Sequence, residues 1–210
     1  VLDLSGNGNH VVAVSDAARP ILRSSDGSYW LKFDGVDDTL ENASSFVLNL
    51  TTNTVFVVAS EESEVNNSGV LSVKPSSGDD WRSSDGMAFE TGGSTMLFSV
   101  RCGDMGSPYL VALNGSGAMP LAIYENVKDA STGSLYVNGV SVASDNSWLG
   151  VAENSAGGLV LGSRWTGGAL SATQKLNGRI YAIAAFNRVL SDVERTQVRQ
   201  WCAQKAGVAL

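Results

Sequence analysis

Short segments that alternate apolar and polar residues, each followed by turn residues, recur along most of this chain. The clearest pair spans Tyr136–Val142, where Asn138 and Gly139 separate two alternating runs. Because Asn and Gly both accept positive φ angles, this pair predicts a two-residue β-hairpin turn. The run TVFVVAS (54–60) is apolar at successive positions, as expected of a strand covered on both faces. The pattern favours an all-β fold of many short strands.

Further strands are predicted wherever a β-prone run lies between clusters of Gly, Ser, Asp and Asn. The 210 residues are 43% hydrophobic and include 23 Gly but only 4 Pro, which indicates one sizeable core and many turns. Since no repeat or linker interrupts the pattern, we predict a single domain over residues 1–210. The predicted strands are 29–35, 54–60, 69–74, 86–90, 95–101, 109–114, 120–127, 133–144, 159–163 and 178–187.

One helix is predicted near the end of the chain. Ser191 and Glu194 form an S-x-x-E capping box, and Gly207 is placed to end the helix. We expect this helix to pack on the edge of the sandwich rather than to bind a partner. A partial apolar stripe at helical spacing consists of Val193, Val198, Trp201 and Cys202.

The net charge limits the classes of partner. A formal charge of −7 and a pI of about 4.6 argue against a nucleic-acid backbone or an anionic membrane surface. No apolar run approaches the roughly 18 residues needed to cross a bilayer, so we expect no membrane insertion. Neutral glycans and cations remain compatible with this charge.

Two cysteines, Cys102 in a predicted strand and Cys202 in the predicted helix, leave two alternatives. A disulfide between them would close a loop of about 100 residues and stabilise the fold by up to roughly 4.7 kcal/mol in a chain-entropy treatment. Two buried free thiols are the other alternative, and the sequence does not decide between them.

Catalytic constellations are not evident in the sequence. Retaining glycosidases need two carboxyl groups about 5–5.5 Å apart, which alternate positions of one strand could supply, but no predicted strand carries them. The acidic run Glu61, Glu62 and Glu64 follows a strand and is typical of a solvated loop. The single histidine, His10, lies in a turn, and no G-x-S-x-G motif accompanies it. We predict that the chain is not an enzyme.

Four segments, in this order, resemble the laminin-G-like group of the concanavalin A-like lectin/glucanase superfamily, in its bacterial and phage branch. The resemblance implies a jelly-roll sandwich of two antiparallel sheets with the first and last strands adjacent, to which the predicted C-terminal helix is added. It does not imply one function, because this fold serves carbohydrate-binding modules, adhesion domains, virion appendages and glycoside hydrolases. The segments are DLSGNGNH (3–10), LKFDGVDDTL (31–40), SLYVNGVSVA (134–143) and NGRIYAIAAFNRVLSDVERTQV (177–198).

Two acidic, glycine-rich turns, at 3–10 and 33–38, offer the oxygen ligands that calcium prefers. Relatives with this fold often carry a structural calcium ion near the sheet rim. They also often read G-x-I-D-E before the last strand, whereas this chain reads GRIYA (178–182), which removes two acidic groups. The alternative is that Asp and Asn in these turns bind their own backbone. The candidate calcium ligands are Asp3, Asn7 and Asp34.

Three tryptophans occur in loop-like sequences next to planar polar side chains. A sugar has one apolar face and many hydroxyl groups, so its sites combine aromatic rings with polar side chains. Each of these tryptophans can instead fold back over a sheet edge, whereas Trp30 and Trp201 are predicted to lie in the core. The candidate ligand-binding residues are Trp81, Arg82, Trp148, Arg164 and Trp165.

These features predict a lectin-like, non-catalytic attachment module that acts outside the cell. The expected setting is a phage virion or a bacterial secreted or surface protein, and the expected partner is a glycan or a host cell-surface receptor. The alternative is a structural or decoration module of a larger assembly, whose partners are other virion or surface proteins. The sequence keeps both alternatives open.

Overall fold

A computed structural model describes residues 1–42, 46–63, 67–81, 83–92, 96–102, 109–130, 132–146, 155 and 157–210. In this part of the chain, sixteen β-strands and one α-helix are formed. In chain order they are β1 (Val12–Ala13), β2 (Ile21–Ser25), β3 (Ser28–Asp34), β4 (Leu40–Asn42), β5 (Thr52–Glu61), β6 (Gly69–Val73), β7 (Met87–Thr91), β8 (Met96–Cys102), β9 (Tyr109–Asn114), β10 (Ala122–Asp129), β11 (Thr132–Val137), β12 (Val140–Asp145), β13 (Leu159–Leu161), β14 (Ser163–Thr166), β15 (Ala169–Lys175), β16 (Asn177–Phe186) and α1 (Asp192–Ala206).

The strands form two antiparallel sheets that pack face to face. Sheet A has the order β1-β4-β13-β6-β7-β8-β9, and sheet B has the order β12-β11-β10-β5-β16-β3-β2. Strands β14 and β15 form a separate hairpin. This architecture confirms the predicted fold class. The first strand that the sequence predicts, β3, pairs with the last, β16.

The main core lies between the two sheets, because alternate residues of each strand point inward. Phe98 of sheet A stacks on Tyr124 of sheet B, with ring centroids 4.3 Å apart. Phe33 and Phe89 are also fully buried in this core. Burial of one such aromatic side chain stabilises the fold by about 1.5–3 kcal/mol.

The hairpin predicted at Asn138 and Gly139 is confirmed. Both residues have positive φ, at 49° and 84°, and they connect Val137 to its partner Val140. The backbone N–H of Ile123 donates to the side-chain oxygen of Asn138 at 2.9 Å, which ties the turn to β10.

The helix begins and ends where the sequence predicts. The capping box of Ser191 and Glu194 is formed, and Gly207 ends the helix with a left-handed φ of 66°. The helix does not lie at the sandwich edge, however. Its small residues pack on Phe56 and Val58 in the middle of sheet B and make a second core there. No helix in the described part of the chain is long and apolar enough to cross a membrane.

Cys102 and Cys202, both within the described residues, are free thiols and are buried. Cys102 belongs to the core between the sheets, whereas Cys202 belongs to the core under α1. Because sheet B separates these two cores, the disulfide considered above is not formed, and the alternative of two buried thiols describes the structure. Burial raises the pKa of each thiol to about 12.

Candidate functional site

Two segments cover the outer face of sheet A: the loop 74–86 between β6 and β7, and the hairpin of β14 and β15. The hydroxyl of Ser72 donates to the carbonyl oxygen of Ser163 at 3.0 Å, so the hairpin lies directly on β6. Gly69 permits this approach, because a Cβ atom there would collide with the backbone of Ser163. The loop joins the hairpin where the Asp80 N–H donates to the Trp165 carbonyl at 2.9 Å.

A buried ionic network fixes these segments to the sheet. Arg164, which is only 2% exposed, donates from Nε to both carboxylate oxygens of Asp80, at 3.0 Å and 2.8 Å. Its Nη1 pairs with Glu90 on β7, and Glu90 also pairs with Nε of Arg101 on β8 at 2.5 Å. Asp80 and Glu90 are fully buried. Isolated charges here would be costly, so the pairing is what makes this burial tolerable.

Trp81 and Trp165 flank this network. The backbone N–H of Trp165 donates to Asp80 at 2.9 Å, and Trp81 follows Asp80 directly in the chain. The ammonium of Lys74 lies 4.8 Å from the Trp165 ring centroid, and the guanidinium of Arg101 lies 5.5 Å from that of Trp81. Both indole rings are half-buried, and cation–π contacts of this kind favour one ring orientation.

The structure therefore brings together three of the five predicted ligand-binding residues, Trp81, Arg164 and Trp165. Arg82 and Trp148 lie outside the described residues. The position of Arg164 corrects its expected role: all three of its guanidinium nitrogens are engaged by carboxylates, so it supports the site from beneath.

Sequence reasoning missed the residues that hold this site in place. Asp80 directly precedes Trp81 and could have been recognised from that position. Glu90, Arg101 and Lys74 are residue types that usually face solvent, and the overlying loop and hairpin make them buried or half-buried.

The opening turn is held by its own hydrogen bonds. The Asp3 carboxylate accepts from the backbone and hydroxyl of Ser5, both at 2.8 Å, and from the backbone N–H of Asn9 at 2.9 Å. These hydrogen bonds, those from Ser5 first, lower the pKa of Asp3. Asn7 donates its backbone N–H to the Ser5 hydroxyl at 3.2 Å. The turn thus has the self-bonded form that the sequence offered as the alternative to a calcium site.

The second acidic turn groups Asp34 with Asp37 and Asp38, not with Asp3. Carboxylate oxygens of these three residues lie within 4.8 Å of one another. Asp38 accepts from the backbone N–H of Asp34 at 2.9 Å. Burial, and then repulsion from Asp34 and Asp37, raises the pKa of Asp38. The predicted trio of Asp3, Asn7 and Asp34 is therefore split between two turns.

The acidic run that begins with the last residue of β5 is not a wholly solvated loop. Glu61 is 6% exposed and accepts hydrogen bonds from the hydroxyl groups of Ser68 at 2.9 Å and Thr91 at 3.0 Å. Glu62 is exposed and pairs with two cationic side chains on the outer face of sheet B. Glu64 lies outside the described residues. Glu61 acts here as a structural acceptor where three segments meet.

No protein-family model matches this chain, and no curated protein matches it by sequence. Solved structures do match it by fold. Domain 4 of AbnA, a GH43 extracellular arabinanase from Geobacillus stearothermophilus, in complex with arabinotriose, gives a TM-score of 0.67 at 10% identity. The match covers 91% of this chain and 87% of that chain.

Two further structures have the same fold. The CBM40 of Ruminococcus gnavus IT-sialidase, bound to α2,3-sialyllactose, gives a TM-score of 0.55 at 15% identity over 77% of this chain and 95% of that one. The binding domain of Paraclostridial Mosquitocidal Protein 1 gives 0.63 at 10% identity over 94% of this chain. This chain spans about half of that structure, 48% of its length. At these identities the similarity establishes the fold alone, a β-sandwich of two antiparallel sheets.

Proposed function

We propose that this chain is a non-catalytic carbohydrate-binding module whose ligand rests on Trp81 and Trp165. The observation that carries the proposal is that two half-buried tryptophans adjoin the buried Arg164–Asp80 ion pair, Trp81 directly after Asp80 and Trp165 directly after Arg164. The fold supports it, because domains of this fold are complexed with arabinotriose in the arabinanase and with sialyllactose in the sialidase.

The rigidity of the site suits weak, reversible sugar binding. The backbone N–H of Trp165 donates to the Asp80 carboxylate and its carbonyl accepts from the Asp80 N–H, so the position of Trp165 on the sheet is set before a ligand arrives. An indole that is already ordered loses little conformational entropy on binding. Each ring then offers an apolar surface to a sugar face, and the partly exposed guanidinium of Arg101 lies beside the Trp81 ring.

The same contacts argue against catalysis at this site. Asp80 and Glu90 are the carboxylates beneath the two indoles, and both are occupied by guanidinium groups. A glycosidase needs one carboxyl group free to donate a proton and a second free to attack or to activate water. Carboxylates held in this way act instead as structural anchors.

Replacement of each tryptophan tests the proposal. We expect Trp81→Ala and Trp165→Ala each to weaken binding on a glycan array by at least about tenfold, equivalent to about 1.4 kcal/mol. Tyr29→Ala is the matched control, because Tyr29 is an aromatic residue 62% exposed on the β2–β3 hairpin, away from the site. Equal binding by wild type and both tryptophan variants would contradict the proposal and favour a structural or decoration module.

The family of the module and the place where it acts are part of the same proposal. The module belongs to the laminin-G-like branch and serves attachment outside the cell, on a phage virion or a bacterial surface, to a glycan or a receptor that carries one. The four resembling segments support this, since together they bracket nearly the whole chain and fall in the order of the observed strands. Immunogold labelling of intact virions or cells with an antibody to the module would test it.

Calcium binding stays a prediction. The second turn offers three carboxylates, but the ammonium of Lys175 already lies close enough to interact with all three. A higher melting temperature in calcium than in chelator, lost in Asp37→Asn, would support a structural ion there. Equal melting temperatures would leave both turns as hydrogen-bonded turns.

A further inference from the structure

A second concave region lies away from the two tryptophans of the candidate site. The opening turn faces the end of β16 and the helix α1 across a cleft of about 680 Å³. Pockets for small molecules typically measure about 300–1,000 Å³, so this cleft has a suitable size. Its walls include three aromatic residues and three polar residues: Phe46, Phe186, Trp201, Asp3, Asn7 and Asn9.

The wall formed by the opening turn is preformed. The terminal nitrogen of Val1 donates to the Val11 carbonyl at 2.8 Å, and the Val11 N–H donates to the Val1 carbonyl at 3.1 Å, which closes the intervening residues into a loop. The Asp3 N–H donates to Nδ1 of His10 at 2.9 Å, and the side chain of Asn42 donates to the carbonyl of His10 at 3.0 Å. The polar side chains on this wall are thus carried by a turn that is fixed at both ends.

The opposite wall is aromatic and also fixed. Phe186 makes an edge-to-face contact with the buried ring of Phe56, with centroids 6.4 Å apart. Asn187 accepts from the backbone of Asn49 at 2.8 Å and donates to the carbonyl of Val47 at 3.1 Å, which joins this end of β16 to the neighbouring loop. The wall therefore presents apolar surface with little freedom to collapse into the cleft.

Trp201, like Val193, is a large apolar residue of α1 that remains exposed. The helix buries small residues against sheet B, and Trp201 lies beside this stripe with 38% of its surface exposed. The sequence predicts it as a core residue, and the structure corrects this. A large indole at the wall of a cleft, rather than in the core, is the kind of exposed aromatic residue that contacts ligands.

The chemistry of the two walls matches that of a sugar without charge. Among the described residues, the side-chain amides of Asn7 and Asn9 have no hydrogen-bond partner, so each offers a donor and an acceptor to hydroxyl groups. The Asp3 carboxylate adds an acceptor and a negative charge. Arg188 also lines the cleft, but Glu194 pairs with it through two hydrogen bonds, at 3.1 Å and 2.6 Å. Among the described side chains that line the cleft, no cation is therefore left unpaired, and the Lys205 ammonium lies outside this lining, over the Trp201 ring at 5.7 Å from its centroid.

We propose that this cleft is a second saccharide site, which binds one or two units of a neutral glycan between Trp201 and the amides of Asn7 and Asn9. The site goes beyond the function proposed above, because it shares no residue with the site at Trp81 and Trp165. Two weak sites on one module raise its avidity for a surface that displays many glycans.

Titration of the ¹⁵N-labelled protein by NMR tests this site. The neutral probes are lactose and arabinotriose, and the acidic probe is 3′-sialyllactose. We expect a neutral probe to shift the Trp201 indole N–H and the side-chain amides of Asn7 and Asn9. Trp201→Ala, and separately Asn7→Ala with Asn9→Ala, should weaken this response by at least about tenfold. Because Trp201 is partly exposed and Ala favours helix, the variant should fold, as circular dichroism will show.

The pattern of NMR shifts tests the two proposed sites separately. Shifts only at Trp81 and Trp165 would overturn the second site and leave the proposed function standing. Shifts only at Trp201 would support the second site and contradict the first. The absence of shifts at Trp201 with both neutral probes, or a stronger response to 3′-sialyllactose, would overturn this proposal. Tyr29→Ala is again the control and should respond like wild type.

Discussion

Arg164 donates three hydrogen bonds to the carboxylate of Asp80, from a position 84 residues further along the chain. This pair joins the loop 74–86 to the hairpin of β14 and β15. In the sequence, Trp81 directly follows Asp80, and Trp165 directly follows Arg164. The separation of the two indoles therefore depends on one ion pair that solvent does not reach.

We expect Arg164→Met to lower the free energy of unfolding by about 3–5 kcal/mol, because it leaves the buried carboxylates of Asp80 and Glu90 without their shared cation. Urea denaturation followed by far-UV circular dichroism would measure the change. Arg179→Met is the matched control: Arg179 is 38% exposed in its pair with Glu62 and should cost less than about 1 kcal/mol. Equal losses in the two variants would show that burial of the network contributes little.

Gly69→Ala should displace the hairpin from sheet A, because the added Cβ would overlap the backbone of Ser163. We expect a loss of about 1–3 kcal/mol in unfolding free energy and a red shift of the tryptophan fluorescence as Trp165 becomes more exposed. Ser72→Ala removes a hydrogen bond at the same contact without adding volume, so it should cost about 1 kcal/mol and leave the emission unchanged. A Gly69→Ala protein with wild-type emission would contradict the predicted overlap.

Asp38 gives the fold a defined pH dependence. Its pKa is raised above the ordinary value of 3.8, so its contribution to stability is fully present below that value and is lost as pH rises through the pKa of the folded state. We therefore expect Asp38→Asn to melt at a higher temperature than wild type near neutral pH and to lose this advantage in acid. An asparagine side-chain oxygen can still accept the hydrogen bond from Asp34.

Thermal melts of Asp38→Asn and wild type across this pH range, in chelator, would measure the difference. The same melts in calcium serve as the control for a bound ion. A variant that is less stable than wild type at neutral pH in chelator would contradict the burial effect on Asp38.

The two thiols should be unreactive in the folded protein. Burial raises the pKa of Cys102 and of Cys202 to about 12, so both are protonated at ordinary pH and inaccessible to reagents. We expect a thiol reagent such as dithionitrobenzoate to label neither residue under native conditions and both after denaturation without a reductant. The absence of labelling in denaturant would instead indicate the disulfide.

The strands that sequence reasoning located are those with a buried apolar pattern, such as β5 and β16. The strands it missed have no such pattern. All five residues of β2 are exposed, and β1 contains only two residues. The β14–β15 hairpin is rich in polar residues and Gly because it covers a polar sheet face, so nothing in its periodicity separates it from a loop.

The residues of the two proposed sites also could be predicted from the sequence only in part. Trp81 and Trp165 could be recognised because their loops are rich in Gly, Ser and Asp. The buried role of Arg164 could not, since burial of a charge depends on partners from distant parts of the chain. Trp201 was assigned to the core because it falls near an apolar stripe. The close packing of Cys202, Ala203 and Ala206 on sheet B leaves it outside that core.

The position of β16 has a consequence for how the protein acquires its structure. This strand, the last in the chain, inserts between β5 and β3 in the interior of sheet B. Until it has left the ribosome, β3 and β5 have no common neighbour, and the two halves of the sheet cannot join. Because such pairings between distant segments slow folding, we expect these sheets to form only after β16 has been synthesised, in one cooperative step that any truncation before residue 177 would prevent.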